Sequence, residues 1–545
     1  MEKFLNFLLI IVLVFFSGCS KSGQSGTDSQ ITVGISQEPD SLDPLLGEMA
    51  ASSEILGALL RGLTTRNEKW ELLPELAKEV PSLTNGLWEQ LPGDKMRTTW
   101  SLKEGARWED GHPVTAEDFI FAHQVIMDDR VPVISRDLDR RIEKMEAPDP
   151  LTLVVTWKEL YAYANEGHAL LPKHALESVY QKDPSKYHES FFNTKPVGNG
   201  PYKLSQWEPG NYLMLEKSPT FFGEPAKFDK VIYRIIPDTN TILANLESRT
   251  IDAISPVGLS FDQAMEFQKR RGADFNISFV QGLVWEHIDM NHDSPILKDK
   301  RVRQALLYAM DREKIVKTLF EGKQEVADSW LPPHHYGHYA EVKKYPYDPE
   351  KARKLLEDAG WKEGPDGVRV NEQGEKLQLT IMTTAGNKIR ERVEEIIQAD
   401  WKNVGIELEI KNQPAKVFFG ETTRYRKFPH LAMYAWIIGP TADGESLWTI
   451  KNIPSAENNW QGQNTGGFRH PEMDRIDNLV PKTLDEKERR HLLIQEQQIW
   501  AEELPALPLY FRADVSATRK DLVNWLITGT DTPVTWNVER WYFAK

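Results

Sequence analysis

The chain has 545 residues, 40% of them hydrophobic and 27% charged, with a formal net charge of -15 at pH 7. So acidic a balance argues against nucleic acid as a partner, because phosphate binding needs a basic face. The length exceeds what one hydrophobic core usually supports, so two or more lobes are expected. Cys19 is the sole cysteine, which excludes intramolecular disulfides and thiolate metal sites from the body that follows it.

Lys3 precedes an apolar run from Phe4 to Phe16, which ends in Ser17, Gly18 and Cys19. That is the layout of a secretory signal. As a helix the run reaches only about 20 Å, short of the roughly 30 Å hydrocarbon core, so it is too short for a stable span. Phe16-Ser17-Gly18-Cys19 resembles the lipobox of bacterial lipoproteins. The resemblance implies acylation of Cys19 and cleavage just before it; the alternative is an ordinary signal peptide with an incidental cysteine. Residues 20–29 are almost wholly small and polar and read as a flexible tether.

Beyond the tether, Gln30 to Ile35 alternates like a strand and leads into a turn-rich loop, Gln37 to Pro44. Met49 to Arg61 carries apolar residues at helical spacing, with Gly62 as the expected cap. Thr98 to Phe119 reads as a strand, a tight Asp110-Gly111 turn and a helix opened by Thr115, with Asp118 at the capping-box distance. The glycines at 198 and 200 lack the Lys and Ser/Thr of a phosphate-binding loop and read as a tight turn. His334 and His338 stand four apart, yet Pro332, Pro333 and Gly337 place them in a loop, where that spacing does not guarantee a common face. No Gly-x-Ser-x-Gly elbow and no His-Glu-x-x-His helix occurs, so no catalytic motif emerges and no cofactor is implied.

The 98–119 stretch closely resembles the signature of the family 5 extracellular solute-binding proteins, the oligopeptide, dipeptide and nickel binders of ABC importers. The likeness continues in order through Leu171-Pro172-Lys173-His174, Pro196 to Tyr202, Phe228 to Val231, Ile251 to Ile254, Asp299 to Leu306 with Ala309 to Arg312, Tyr347 to Trp361, and Glu503 to Tyr510. It implies an α/β, two-lobed periplasmic-binding-protein-like fold of the class II type with an extra inserted lobe. On that plan residues 1–19 are the signal and 20–29 the tether. Residues 30–72, 190–285 and 510–545 form lobe I, 73–189 the inserted lobe, and 286–509 lobe II, with Leu283 to Asn291 crossing between lobes.

The same resemblance implies a monomer, held by its lipid at the periplasmic or extracellular face of the cell envelope. It would capture a peptide by hinge closure and deliver it to an ABC permease. Oligosaccharides and metal chelates remain alternative ligands, and an envelope chaperone or sensor is the reading without transport. The expected ligand contacts are Gln37, Glu38, Pro39 and Ser41 on one side and Trp436, Ile437, Ile438 and Gly439 on the other. Many peptide binders carry an aspartate where this chain has Gly439, to pair with the ligand's ammonium. Here a carboxylate follows only at Asp443 or Glu445. Either Asp443 substitutes through a longer loop or the ligand lacks a free amino terminus. Trp460, in an amide- and glycine-rich stretch, is a further candidate, able to stack on a sugar or to serve only a surface loop.

Overall fold

The computed structural model describes residues 29–545. The signal segment and the lipobox Cys19 lie outside the described residues, so the expected acylation site has no structural account.

An eleven-stranded sheet forms the backbone of the molecule. Its strands are β1 (Gln30–Ile35), β2 (Tyr202–Glu208), β3 (Tyr212–Lys217), β4 (Lys230–Ile235), β5 (Ala253–Ile254), β6 (Phe275–Met290), β7 (Gln378–Met382), β8 (Glu407–Ile410), β9 (Leu431–Ile437) and β10 (Ala506–Arg519). They run in the order β8-β7-β9-β6-β10-β5-β1-β4-β3-β2, and the short strand Glu325–Val326 pairs with β10. β1 lies between parallel neighbours β4 and β5. Ile31 to Ile35 is buried without the alternation of a half-solvated strand, so both faces of this stretch are covered.

β6 and β10 are the long strands, and they tie the two ends of the sheet together. The first half of β6 pairs only with β10, whereas Val284 to Met290 pairs with β9 as well. The register between β6 and β10 shifts between Gln281 and Trp285. Gly282 sits in that irregularity, where a Cβ would come within 3.1 Å of the Arg512 carbonyl and the Asp514 carboxylate.

Three large cores are built from different parts of the chain. One joins residues from Ile31 to Leu59 with Tyr202 to Ala253 and Leu522 to Trp541. A second, from Leu63 to Leu170, packs on a four-stranded sheet of Trp88–Leu91, Lys95–Ser101, Thr152–Trp157 and Ile142–Asp149. The third runs from Trp285 to Phe511. Tryptophan is a main filling: Trp100, Trp108, Trp157, Trp285, Trp330, Trp401, Trp500 and Trp541 are among the largest fully buried side chains.

Helix α1 (Ala50–Leu59) ends before the expected Gly62 cap. Leu60 is already extended, and Asn199 takes over the next residue: its amide accepts from Arg61 N–H at 2.8 Å and donates to Arg61 C=O at 3.0 Å. Gly198 and Gly200 make that approach possible, since a Cβ at either would lie 2.3 Å from Leu59 O or 2.6 Å from Ala58 O. These glycines serve helix-end packing as well as a turn.

Helix α2 (Ala116–Met127) starts with the expected capping box, the Asp118 carboxylate accepting from Thr115 N–H at 2.8 Å. The other Asp118 oxygen accepts from Lys173 N–H at 2.9 Å and so anchors the start of α3 (Lys173–Lys182). Further helices used below are α4 (Lys388–Lys402), α5 (Pro471–Leu479) and α6 (Glu486–Glu503). No helix among the described residues is long and apolar enough to cross a membrane.

Candidate functional site: a cleft between the cores

Two adjoining cavities, of about 400 Å³ and about 430 Å³, share the walls Arg66, Leu72, Glu166, Pro440 and Thr441. The first lies between Trp70 and the 162–166 loop on one side and His334, Tyr336 and Arg489 on the other. The second extends towards Arg61, Asp531 and Trp536. The walls thus come from segments far apart in the chain, which is where a tertiary fold builds a binding pocket.

The walls are locally braced. Arg66 pairs with Glu166, and its other terminal nitrogen donates to Trp70 C=O at 2.7 Å. Trp70 holds a left-handed φ of 67°, donates its ring N–H to Thr528 C=O at 2.8 Å and packs its ring 5.7 Å from His334. Arg489, from the first turn of α6, donates to the Tyr336 hydroxyl at 3.0 Å. Its guanidinium lies over both Tyr163 and Tyr336, 5.6 and 5.4 Å from the ring centroids. The two hydroxyls are 3.4 Å apart. Close by, Ala162 N–H donates to Pro481 C=O at 2.7 Å and crosses the same seam.

Asp443 stands behind this group. Burial pushes its carboxyl up to about 7, and Glu445 adds repulsion, against the Glu445 N–H, the Tyr163 hydroxyl and the Arg141 charge. Burial, with Asp443 next, holds the Tyr163 hydroxyl well above the usual phenol range. The site therefore offers both signs of charge and aromatic faces, with the raised carboxyl of Asp443 buried behind them.

None of the ligand contacts expected from the sequence lines either cavity, although Pro440 and Thr441, between Gly439 and Asp443, line both. Gln37 is exposed and Pro39 buried. The Glu38 carboxylate accepts from Trp207 Nε1 at 2.8 Å and from Gly210 N–H at 3.1 Å. Ser41 donates to Asn193 Oδ1 at 2.6 Å. At the end of β9, Ile437 is 72% exposed, while Ile438 is buried and donates its N–H to Leu283 C=O at 2.8 Å. Gly439 has open space where a side chain would stand.

Trp436 is half-buried beside Tyr434, at a crevice it shares with Asp289, Asn464 and Thr465. Asp289 is buried there, yet donors from His287, Thr465 and Tyr434 hold its carboxyl below the usual range. Trp460 has a φ of 58° and meets Tyr425 edge to face at 5.2 Å. His334 and His338 diverge: the first lies against Trp70, and the second engages Leu331 C=O through Nδ1 at 3.1 Å. Tyr163, Tyr336 and Arg489 had no signal in the sequence.

Residues 71–456 match the family described as bacterial extracellular solute-binding proteins, family 5, middle region. The chain belongs to the family 5 extracellular solute-binding proteins. This family 5 protein is 27% identical to the oligopeptide-binding protein AppA of Bacillus subtilis, over 99% of its own length and 98% of AppA. It is 26% identical to the glutathione-binding protein GsiB of Escherichia coli K12, over 92% of each. Its fold superimposes on an oligopeptide-binding protein of Thermus thermophilus, crystallised with a pentapeptide, at a TM-score of 0.67 and 33% identity, covering 95% of this chain and 96% of that one. The family 5 protein is accordingly an ABC-transporter substrate-binding protein, and its family is one of binders, not enzymes.

Proposed function

We propose that the chain captures peptides in the cleft between its cores, closes on them about the β6/β10 crossing, and delivers them to an ABC permease while tethered through a lipid on Cys19. The observation that carries this reading is the pair of joined cavities walled by Arg66, Arg489, Glu166, Pro440 and Thr441. A peptide brings an ammonium, a carboxylate and a chain of amides, and such a mixed wall answers each of them. The relatives that carry peptides or glutathione in their names support the same class.

The partition into lobe I (30–72, 190–285, 510–545), inserted lobe (73–189) and lobe II (286–509) is supported by the way the three large cores draw on those segments. Closure then biases a hinge equilibrium in proportion to the extra contacts the ligand makes in the closed form. In this proposal Asp443, buried behind the Pro440-Thr441 wall, reaches the ligand's ammonium only as the cleft closes and takes the place of a carboxylate at position 439. A cation there favours the ionised carboxylate, so peptide affinity falls as pH drops below about 7. Asp443→Asn abolishes that pH dependence, as isothermal titration with a short peptide will show.

The deciding experiment is native mass spectrometry of the chain beginning after Cys19, with release of whatever co-purifies. A ladder of peptide masses supports the proposal. Hexose-spaced masses overturn it in favour of an oligosaccharide stacked on Trp436 and Trp460. For the tether, incorporation of labelled palmitate into the full chain is expected, and its persistence in Cys19→Ala would sink the anchoring role.

A further inference from the structure

Asp110, His112 and His174 bring one ligand atom each to within 4.8 Å of one another on the exposed surface of the insertion. None of them lines a cleft cavity. The local fold explains how they meet. Gly111 takes a φ of +93°, which L side chains rarely adopt, and turns the chain so that His112 N–H donates to Asp110 Oδ1 at 3.1 Å. That turn sets His112 Nδ1 3.2 Å from the same oxygen.

From the other side, the Asp118 contact to Lys173 N–H fixes the start of α3 and delivers His174 Nε2 to 2.7 Å from Asp110 Oδ2. His174 also packs near the buried Trp108, with ring centroids 6.3 Å apart. Each carboxylate oxygen thus faces one imidazole nitrogen, and the two imidazole rings stack at 4.1 Å with 21° between their planes.

An Asp–His hydrogen bond alone accounts for Asp110 and His174. It leaves unexplained why a second imidazole is held over the first, on the same carboxylate. We propose that Asp110, His112 and His174 form a surface site for a divalent transition metal ion of the zinc and nickel type. Two imidazole nitrogens and one carboxylate oxygen are the donors such ions select, with water completing the coordination. Bonds of about 2.0–2.2 Å at a tetrahedral ion separate neighbouring donors by roughly 3.3 Å. The contacts of 2.7 and 3.2 Å from Asp110 therefore need only a small spreading to admit the ion. The His112 side chain, 58% exposed, is free to turn and make it, while His174 and Asp110 are preset by the fold.

The test is titration of Zn²⁺, and separately Ni²⁺, into the tag-free chain beginning after Cys19, in a non-coordinating buffer at pH 7.5, followed by calorimetry. One equivalent is expected to bind. His112→Ala should weaken binding by roughly 10- to 100-fold while leaving the melting temperature and peptide binding unchanged. The double variant His334→Ala, His338→Ala should bind the ion as the parent does. Absence of saturable binding overturns the site, as does an unchanged affinity in His112→Ala. Loss of binding in the His334/His338 variant would move the ion to the cleft and overturn it equally.

Discussion

Glu286 on β6 and the pair Asp477 on α5 and Glu496 on α6 are all buried acids, yet the fold accommodates them in opposite ways. Glu286 is ion-paired. Arg390 of α4 donates to it at 3.1 and 3.3 Å, and Arg512 of β10 pairs with the same carboxylate. Asp477 and Glu496 have no cation of this kind among the described residues. Trp330 Nε1 donates to one Glu496 oxygen at 2.9 Å, and no donor among the described residues reaches either oxygen of Asp477. Burial raises both carboxyls well above the usual range, and Glu496 and Asp443 add repulsion at Asp477.

The difference is one of means. The buried Glu286 is matched by cations brought from 104 and 226 residues away in sequence, whereas Asp477 and Glu496 are buried without such partners among the described residues. The first cluster is a tertiary lock between β6, α4 and β10. The second makes the region behind Asp443 sensitive to pH.

Breaking the lock has the largest expected effect. Glu286→Ala leaves the Arg390 charge buried and unpaired and should cost about 3–5 kcal/mol, read as a lowered denaturation midpoint. The pair with raised carboxyls is next. Asp443, Asp477 and Glu496 all have carboxyls raised in the folded state, so above the unfolded range near pH 4 the folded form binds more protons than the unfolded one. Stability is therefore full below that range and falls as pH rises through the raised values, by up to about 1.4 kcal/mol per pH unit for each group. Urea unfolding between pH 5 and 8 should show this slope, and Asp477→Asn with Glu496→Gln should flatten it.

Trp330→Phe withdraws a donor from Glu496 while keeping the aromatic packing against Trp448. It should cost about 1–3 kcal/mol. Gly439→Ala is the smallest change. A Cβ there meets no atom within 4 Å, so stability should stay within about 0.5 kcal/mol of the parent by thermal unfolding.

Features whose causes lie a few residues apart were legible in the chain itself. β1 and the α2 capping box follow from the strand-like run at Gln30 to Ile35 and from Thr115 with Asp118 three residues on. The family followed from landmarks repeated in order along the chain. Helix α1 shows the limit of such reading: its end is set by Asn199, 138 residues away from Arg61, and Gly62 does not cap it.

The cleft lay wholly beyond that limit. Tyr163 meets Tyr336 across 173 residues, and Tyr336 meets Arg489 across 153. No local pattern distinguishes these three from other tyrosines and arginines. The sequence by itself determined the elements, the family and the acidic character of the chain, because periodicity, capping and composition act over short distances. Only the tertiary structure decided which side chains face the cleft and which buried acids find a cation, because both depend on burial and on partners that folding alone brings within hydrogen-bond reach.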